Sequence, residues 1–289
     1  MANQDLQTVA VLITCHNRKS TTLACLKRLI SQALPPGISL KVYLVDDGSS
    51  DGTSEAVREL YPVVRIIRGD GTLFWCNGMR LAWKHAAESD PNYYFWLNDD
   101  TMLHAGALSR FIGAAGASNR PDCIIVGSCR DAETGVLTYG GEVRLGRHPG
   151  ITAAVQPDNA AMIECDTFNG NCVLVSRAAY KILGSMRSFK HSTGDTDYGY
   201  KARRRGIPQL VLPNYVADCS RNPPEEHWLD PNHPPIVRLR KILGKKVRPP
   251  GDWWRFLWAH AGLWALIYWP KPYLRALLGT KRQNPLPEI

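Results

Sequence analysis

The sequence predicts an α/β fold, with an open, Rossmann-like mixed sheet, helices on both faces and a C-terminal helical extension. Two observations lead to this prediction. Residues 9–67 alternate between apolar runs of strand length and segments with helical spacing, an order typical of sheets covered by helices. After about residue 220 the composition changes to proline-rich loops, basic residues and tryptophan. We therefore place an α/β domain at residues 1–220 and a helical segment at 221–289.

The first strand is predicted at residues 9–13, VAVLI, because a continuous apolar run rich in β-branched residues is typical of a strand buried on both faces. Residues 20–32 then carry apolar side chains at helical spacing, and the Pro-Pro-Gly sequence at 35–37 ends that helix. The rest of this unit comprises a strand at 40–45, a turn-rich loop at 47–53, a helix at 54–61 and a strand at 63–67.

The remaining α/β elements are less regular in order. They comprise a helix within 73–88, a strand at 93–97, a helix at 105–117, a strand at 123–127, a β meander over 134–151, a strand at 172–176, and helices at 177–183 and 194–205. In open α/β sheets, ligands bind at the carboxyl ends of the strands. The loops that follow the strands are therefore where functional residues are expected.

Composition bounds the class of protein. The chain has 289 residues, of which 44% are hydrophobic and 21% charged, so extensive disorder is excluded and one large domain, with or without an appendage, is predicted. The 35 Lys and Arg residues exceed the 26 Asp and Glu residues, for a net charge of +9. This excess suits a phosphate-rich partner, such as nucleic acid, an anionic membrane or a phosphorylated substrate.

The cysteines and the N-terminus indicate the compartment. Eight cysteines are scattered without a C-x-x-C pair, which argues against a zinc site and against a disulfide framework. The sequence MANQDLQT lacks the basic region and apolar core of a signal peptide, and no stretch of about 20 uncharged apolar residues predicts a clean membrane span. We therefore predict a cytoplasmic protein.

Three predicted strands are followed by polar loops, at residues 14–18, 46–49 and 98–100. None contains a glycine-rich phosphate loop, which argues against a dinucleotide-dependent oxidoreductase and a P-loop ATPase. If phosphates bind here, a divalent cation held by carboxylates can neutralise them. The Asn-Asp-Asp sequence at 98–100 supplies such oxygens, although a helix N-cap or an Asx turn would use the same residue types.

Four motifs give the chain a specific resemblance. They are VAVLITCHNR at 9–18, LVDDGSSDGT at 44–53, FWLNDDT at 95–101 and GDTDYGYKARRRG at 194–206. Together they resemble the inverting family 2 glycosyltransferases with the GT-A fold, over roughly the first 210 residues. The loop at 69–78 is also similar to that of bacterial rhamnosyltransferases of surface polysaccharide synthesis, although a turn with core aromatics would explain it equally well.

The resemblance assigns roles residue by residue. It implies Asp195 as the catalytic base, Asp100 as a metal ligand, and Mn²⁺ or Mg²⁺ as cofactor; Asp47 would accept a hydrogen bond from the pyrimidine ring. Asn98 stands where the family often has an acid. The nucleotide-binding residues implied are Thr14, His16, Asn17, Arg18, Asp47, Gly71, Asn98 and Asp99. The residues implied at the donor or acceptor sugar are Trp75, Asn77, Asn169, Gly170 and Asp197.

Two of these roles have simpler alternatives. Asp195 opens a predicted helix, where an acid also favours the helix dipole. His227 is a further candidate metal ligand, because some family members use a histidine downstream of the base, but an exposed loop histidine is the alternative. The chemistry itself is consistent with the roles, since a metal stabilises a diphosphate leaving group and one carboxylate can accept the acceptor's proton.

The C-terminal segment combines a basic cluster with aromatics. Six Lys and Arg residues lie within 236–248, and five of the nine tryptophans lie within 253–269. Tryptophan favours the membrane interface, and basic clusters favour anionic lipid. We predict a monotopic anchor on an anionic membrane surface, at the inner face of the cell membrane. The alternatives are a helical subdomain packed on the core, or a dimer interface.

The function predicted is transfer of a sugar from a nucleoside diphosphate donor to a glycan or lipid-diphosphate-linked acceptor in bacterial surface polysaccharide synthesis. The donor is expected to be dTDP- or UDP-linked, with rhamnose as the first candidate from loop resemblance. A nucleotidyltransferase should carry a glycine-rich phosphate-gripping loop near its first strand, which residues 14–19 lack. A non-catalytic sugar- or nucleic-acid-binding protein should interleave basic and aromatic residues on one face. We therefore predict no nucleic-acid partner; an oligomer is compatible with the sequence.

Overall fold

The first five elements of the computed structural model form a parallel unit. The structure describes residues 6–190, 193–221, 228, 230, 233–244 and 247–279. The unit comprises β1 (Gln7–Cys15), α1 (Lys19–Ile30), β2 (Ile38–Asp46), α2 (Thr53–Leu60) and β3 (Val64–Arg68). β1 and β3 both pair in parallel with β2. All five were predicted, with bounds that differ by a few residues.

The rest of the α/β part adds antiparallel strands. It comprises α3 (Phe74–Ala87), β4 (Tyr93–Leu97), β5 (Met102–Leu103), α4 (Ala107–Ala117), β6 (Ile124–Arg130), β7 (Leu137–Tyr139), β8 (Gly141–Arg144), β9 (Thr152–Ala154), β10 (Ile163–Glu164), β11 (Thr167–Phe168), β12 (Cys172–Ser176), α5 (Arg177–Leu183), α6 (Gly194–Arg204) and β13 (Gln209–Asp218). The main sheet of the described chain runs β10-β13-β6-β12-β4-β1-β2-β3, with β5 and β7 beside it. The predicted α/β fold with a mixed sheet is confirmed.

A second, small sheet lies beside the main one. Its order is β11-β8-β9, and all its pairs are antiparallel. The predicted β meander over 134–151 accounts for β7 and β8, whereas the pairing of β8 with β9 and β11 was not predicted. Residue 169, which follows β11, hydrogen-bonds residue 140. The small sheet therefore brings the 140s and the 169–170 loop together.

The core lies on both faces of the main sheet, which explains the unbroken apolar runs in the sequence. Val9, Val11 and Ile13 of β1 belong to the cluster on one face, whereas Ala10 and Leu12 belong to the cluster on the other. Residues of β4 alternate in the same way. Because helices cover both faces, each strand position is apolar and the usual alternation with polar residues disappears.

The C-terminal part is helical, with α7 (Pro235–Leu243), α8 (Pro250–Ala261), α9 (Ala265–Tyr268) and α10 (Lys271–Leu278). Trp253 and Phe256 of α8 are buried in one cluster with Cys76 and Tyr200 of the α/β part. The helix ends at Gly262, whose φ of +57° is a conformation that favours glycine. The aromatic stretch is therefore divided into short pieces, and its inner face packs on the α/β part. The domain boundary at residue 220 stays a prediction.

In the part of the chain that the structure describes, no helix is long and apolar enough to cross a bilayer.

Candidate active site

The loops after β1, β2 and β4 meet at one edge of the sheet. These three strands are parallel neighbours, so their carboxyl ends point the same way. Backbone and side-chain bonds then tie the loops together: Asn17 N–H donates to Ser49 Oγ at 2.9 Å, and Ser50 N–H donates to Asn17 Oδ1 at 2.8 Å. Asn17 has a φ of +51°, a conformation that asparagine tolerates well. The structure thus brings the polar loops together, as predicted.

Thr14 lies near the carboxyl end of β1, and His16 directly follows the strand. His16 Nδ1 lies 2.6 Å from the Asp47 carbonyl oxygen, so Nδ1 carries the proton in this tautomer. Thr14 is buried beneath α3, where a Cβ added to Gly78 would lie 2.2 Å from Thr14 Oγ1. Gly78 is therefore required for the close approach of α3 to β1. His16 is exposed and available to a ligand.

Asp47 organises the loop at 69–74. Its Oδ1 accepts the Gly71 N–H at 2.8 Å, and its Oδ2 accepts the Phe74 N–H at 2.9 Å. Gly48 and Gly71, both with positive φ, pack backbone against backbone, since a Cβ at Gly48 would lie 2.9 Å from Gly71 N. The carboxylate is buried and already accepts two bonds from the chain. A contact with a nucleotide base stays a prediction for Asp47.

The acidic turn at 98–100 forms ion pairs with Arg18. Arg18 NH1 lies 3.1 Å from Asp99 Oδ1, and Arg18 NH2 lies 2.9 Å from Asp100 Oδ2. Asp99 is buried, and its Oδ2 accepts the Thr22 hydroxyl at 3.3 Å. The pKa of Asp99 is raised to about 7, chiefly because the carboxyl is buried; Arg18 opposes the rise, and the neighbouring Asp100 carboxylate adds to it. A second positive charge here would favour the ionised form of Asp99.

The turn fits a divalent cation bound together with a diphosphate. Magnesium is commonly held by one or two carboxylates plus substrate phosphate oxygens, and Asp99 and Asp100 supply two carboxylates that already hold a positive group. Among the residues that the structure describes, no set of three His, Cys, Asp or Glu side chains forms a self-sufficient metal site. The candidate ligand His227 lies outside the described residues.

Trp75 connects the acidic turn to the opposite side of the cleft. Its indole Nε1 donates to Asn98 Oδ1 at 2.6 Å. Because the indole can only donate, the oxygen of Asn98 must face Trp75. The ring also covers the 169–170 loop, since a Cβ added to Gly170 would lie 2.6 Å from it. Trp75, Asn98 and Gly170, all predicted from sequence, are therefore brought together.

Asp195 lies next to this loop, in the first turn of α6. Its Oδ2 accepts the Gly170 N–H at 3.0 Å, and its Oδ1 accepts the Thr196 N–H at 2.8 Å. Burial raises the pKa of Asp195, and the backbone N–H groups of Thr196 and Gly170 partly oppose the rise. A raised pKa makes the ionised carboxylate a better proton acceptor. Each carboxylate oxygen accepts one of these two backbone bonds and keeps a second lone pair. Asp195 can therefore cap the helix and also accept a proton.

Glu142 is a site residue that the sequence analysis missed. Its Oε1 accepts the Asn169 Nδ2–H at 3.2 Å, so the side chain of Asn169 has a partner within the chain, and its contact with a sugar stays a prediction. Burial raises the pKa of Glu142, and the charge of Asp195 adds to the rise. No motif marks Glu142; only the pairing of β8 with β11 brings it beside the loop.

Two predicted sugar contacts have other partners. Asp197 is fully buried and bonds Arg187 through both oxygens, with His260 Nε2 2.7 Å from its Oδ1. This placement corrects the expectation that Asp197 contacts a sugar: a residue two positions after Asp195 points to the opposite side of the helix. Asn77 Nδ2 donates to the Phe189 carbonyl at 3.1 Å, and its Oδ1 accepts the Ser188 hydroxyl at 2.8 Å. Asn77 thus ties α3 to the 188–189 segment.

Comparison with solved structures supports the same fold. The mannosyltransferase PcManGT from Pyrobaculum calidifontis, in complex with GDP-Man and Mn²⁺, aligns with a TM-score of 0.56 at 17% identity, covering 93% of this chain and 73% of that one. TarS residues 1–349 from S. aureus, in complex with UDP-GlcNAc, aligns with a TM-score of 0.58 at 15% identity, covering 94% and 82% of the two chains. At these identities the likeness establishes the GT-A fold.

Sequence comparison assigns the family. Among curated proteins there is no significant match to the sequence. Residues 10–180, more than half of the chain, match the family described as glycosyl transferase family 2. The matched region contains the loops after β1, β2 and β4 that form the cleft, together with Trp75 and Gly170. The chain belongs to glycosyl transferase family 2.

Proposed function

We propose that this glycosyltransferase is an inverting enzyme that moves a sugar from a nucleoside diphosphate to an acceptor hydroxyl, with Asp195 as the base. One observation supports the proposal most directly: a continuous set of contacts runs from the acidic turn through Asn98, Trp75 and Gly170 to Asp195. A donor diphosphate at the turn would place its sugar between the turn and the carboxylate. An inverting displacement requires a base on the side of the sugar opposite the leaving group.

Residues on one side of the cleft bind the donor, and residues on the other side accept the proton. The loops at 14–18, 46–49 and 69–74 bind the nucleotide, and the Trp75 ring packs against the sugar. Asp195 accepts the proton of the attacking hydroxyl, and the Gly170 N–H holds the carboxylate in place. A divalent metal held by Asp99 and Asp100 would stabilise the charge that develops on the diphosphate.

The donor is proposed to be a pyrimidine nucleoside diphosphate sugar, and dTDP-rhamnose is the first to test because of the resemblance of the 69–78 loop. Support for a nucleotide sugar in general comes from the solved neighbours, one of which holds GDP-Man and another UDP-GlcNAc. The acceptor is proposed to be a glycan on a lipid diphosphate, in bacterial surface polysaccharide synthesis. Its anionic headgroup suits the basic character of this protein.

A donor screen tests the proposal. Thermal-shift measurements with dTDP-, UDP- and GDP-sugars and Mn²⁺ or Mg²⁺ should identify a stabilising donor. Incubation with that donor should release the nucleoside diphosphate, slowly with water and faster with an acceptor, and the product should have the opposite anomeric configuration. Absence of turnover with every donor and metal would favour a binding protein. Release of inorganic pyrophosphate instead would indicate a nucleotidyltransferase.

The C-terminal helices are proposed to rest on the anionic inner face of the cell membrane. The support is a set of exposed apolar side chains in the segment from α8 to α10: Trp258, Leu263, Trp264, Leu266, Ile267, Leu274 and Leu278. Leu145 and Ile151, at the turn between β8 and β9, are also exposed, and Arg147 from that turn lies over the Trp264 ring. Apolar side chains beside cations suit the interface of an anionic bilayer.

Vesicle binding tests this placement. Replacing Leu266 and Ile267 with serine should lower affinity for phosphatidylglycerol vesicles at least about tenfold, because each such side chain gains roughly 1.5–3 kcal/mol on leaving water. The matched control replaces Leu60 and Val63, which are equally exposed apolar residues near the sheet edge, and should bind like the parent. Unchanged sedimentation of the first variant would contradict the proposal. Concentration-dependent dimers that the same variant abolishes would show that a second copy covers this face instead.

A further inference from the structure

Arg18 contacts one carboxylate oxygen of each of the two acids of the 98–100 turn. Asp99 Oδ2 accepts the Thr22 hydroxyl at 3.3 Å, and Asp100 Oδ1 lies 3.6 Å from the Cys219 thiol. The remaining oxygens, Asp99 Oδ1 and Asp100 Oδ2, are the ones that the two terminal nitrogens of Arg18 contact, at 3.1 and 2.9 Å. A cation that uses this acid pair must therefore bind where the guanidinium now lies.

A metal ion and the guanidinium cannot share these oxygens. Magnesium binds carboxylate oxygens at about 2.0–2.1 Å, so its position would overlap the guanidinium nitrogens that bridge the same pair. The two cations would also repel each other at short range. Without any cation, Asp99 would be an uncompensated buried charge, which is strongly unfavourable. One cation must replace the other.

Arg18 is placed to leave the pair and to take a new partner. It precedes α1 at the N-cap, its side chain is 43% exposed, and it is the last residue of the 14–18 loop expected to touch the nucleotide. The planar guanidinium forms paired hydrogen bonds with phosphate as readily as with carboxylate. A diphosphate bound through a metal at this turn would lie within reach of the released side chain.

We propose that Arg18 is a built-in counter-cation, which neutralises the acid pair in the donor-free enzyme and moves onto the donor diphosphate when a metal ion takes its place. The proposal rests on the nucleotide-sugar donor proposed above. It implies that metal and nucleotide bind cooperatively. Metal alone must compete with Arg18, whereas metal with a diphosphate offers the guanidinium a second anionic partner.

Manganese binding without nucleotide tests the first half. The EPR signal of free Mn²⁺ should show that Arg18→Gln binds the ion at least about tenfold more tightly than the parent, because the acids are then unpaired. The matched control is Arg28→Gln, which removes the same charge from an exposed position on α1 and should bind like the parent. Equal Mn²⁺ affinity in the two variants would overturn the proposal.

Nucleotide binding tests the second half. In saturating Mn²⁺, calorimetry with UDP, or with the nucleoside diphosphate of the donor identified above, should show at least about fivefold weaker binding to Arg18→Gln than to Arg28→Gln, as expected for a lost charge-assisted hydrogen bond. Equal affinities would overturn the transfer of Arg18 to the diphosphate. If Arg18→Gln does not fold, Arg18→Lys serves instead, since one ammonium cannot reproduce the two-pronged contact; it should also bind Mn²⁺ more tightly than the parent.

Failure of the further proposal and failure of the proposed function give different results. The Mn²⁺ measurement uses no donor, so equal metal affinities in an enzyme that still turns over a nucleotide sugar would overturn the role of Arg18 alone. Tighter Mn²⁺ binding by Arg18→Gln, in a protein that neither binds nor turns over any nucleotide sugar, would support the competition between Arg18 and metal and overturn the transferase.

Discussion

The two sides of the cleft use the same residue type in opposite electrostatic settings. At the 98–100 turn, Asp99 and Asp100 share the guanidinium of Arg18. On the other side, Asp195 accepts the backbone N–H groups of Gly170 and Thr196, and Glu142 accepts the amide of Asn169. Arg18 opposes the rise that burial causes in the pKa of Asp99, and carboxylates beside a cation suit metal binding. Carboxylates held by neutral donors in a buried place have a raised pKa and suit proton transfer. The surroundings of each acid therefore predict its role.

Removing the base should have the largest effect. Asp195→Asn keeps the shape and the Gly170 contact but cannot accept a proton, so transfer should fall by about 10²–10⁴-fold, the usual contribution of a general base. Donor affinity, measured by calorimetry, should change little. The control Glu59→Gln alters an exposed acid on α2 and should leave the rate unchanged. Loss of donor binding in a folded Asp195→Asn protein would contradict the assignment.

Removing an acid on the other side should act through the metal. Asp100→Asn should raise the Mn²⁺ concentration needed for half-maximal transfer at least about 10- to 100-fold, the loss that even indirect partners of a metal typically cause. Saturating Mn²⁺ should restore much of the rate, which no metal concentration does for Asp195→Asn. Titrations of transfer rate against Mn²⁺ check this difference. The comparison between the two sides fails if both variants respond to metal in the same way.

The smallest expected effect is on the pH profile. Burial raises the pKa of Asp195, and the base must be ionised, so kcat/KM should fall as the pH drops through that raised pKa. The charges of Asp195 and Glu142 raise each other's pKa because the interaction is reciprocal. Glu142→Gln removes one charge, so the acidic limb should move to lower pH. A limb that stays fixed or moves to higher pH would show that Glu142 does not act on the base.

Much of the fold follows from local sequence. The unbroken apolar run of β1 predicted a strand covered on both faces, and β1 is buried in that way. Helical spacing located α1, α2 and α4 to within a few residues. The small sheet escaped prediction because β8, β9 and β11 have only two to four residues each, too few to show a period. Their pairing depends on partners distant in sequence.

The site shows the same division. Residues next to strand ends, such as Arg18, Asp47 and Asp100, lie at one edge of the sheet as predicted, because parallel strands deliver their loops to the same edge. Asp197 was assigned to the site wrongly, because its nearness to Asp195 in sequence conceals the opposite direction of its side chain in α6. Glu142 was missed, because β8 comes near the base only through its pairing with β11.

The sequence by itself determined the alternating strands and helices, the family and the loops that meet at the sheet edge, because these depend on periodicity and on short motifs. Only the tertiary structure decided that Arg18 spans both acids of the turn, that Trp75 connects Asn98 to Gly170, and that the aromatic face of α8 packs inward. Each of these is a contact between segments far apart in the chain. The partner of a side chain is fixed by packing in three dimensions, which local sequence does not encode.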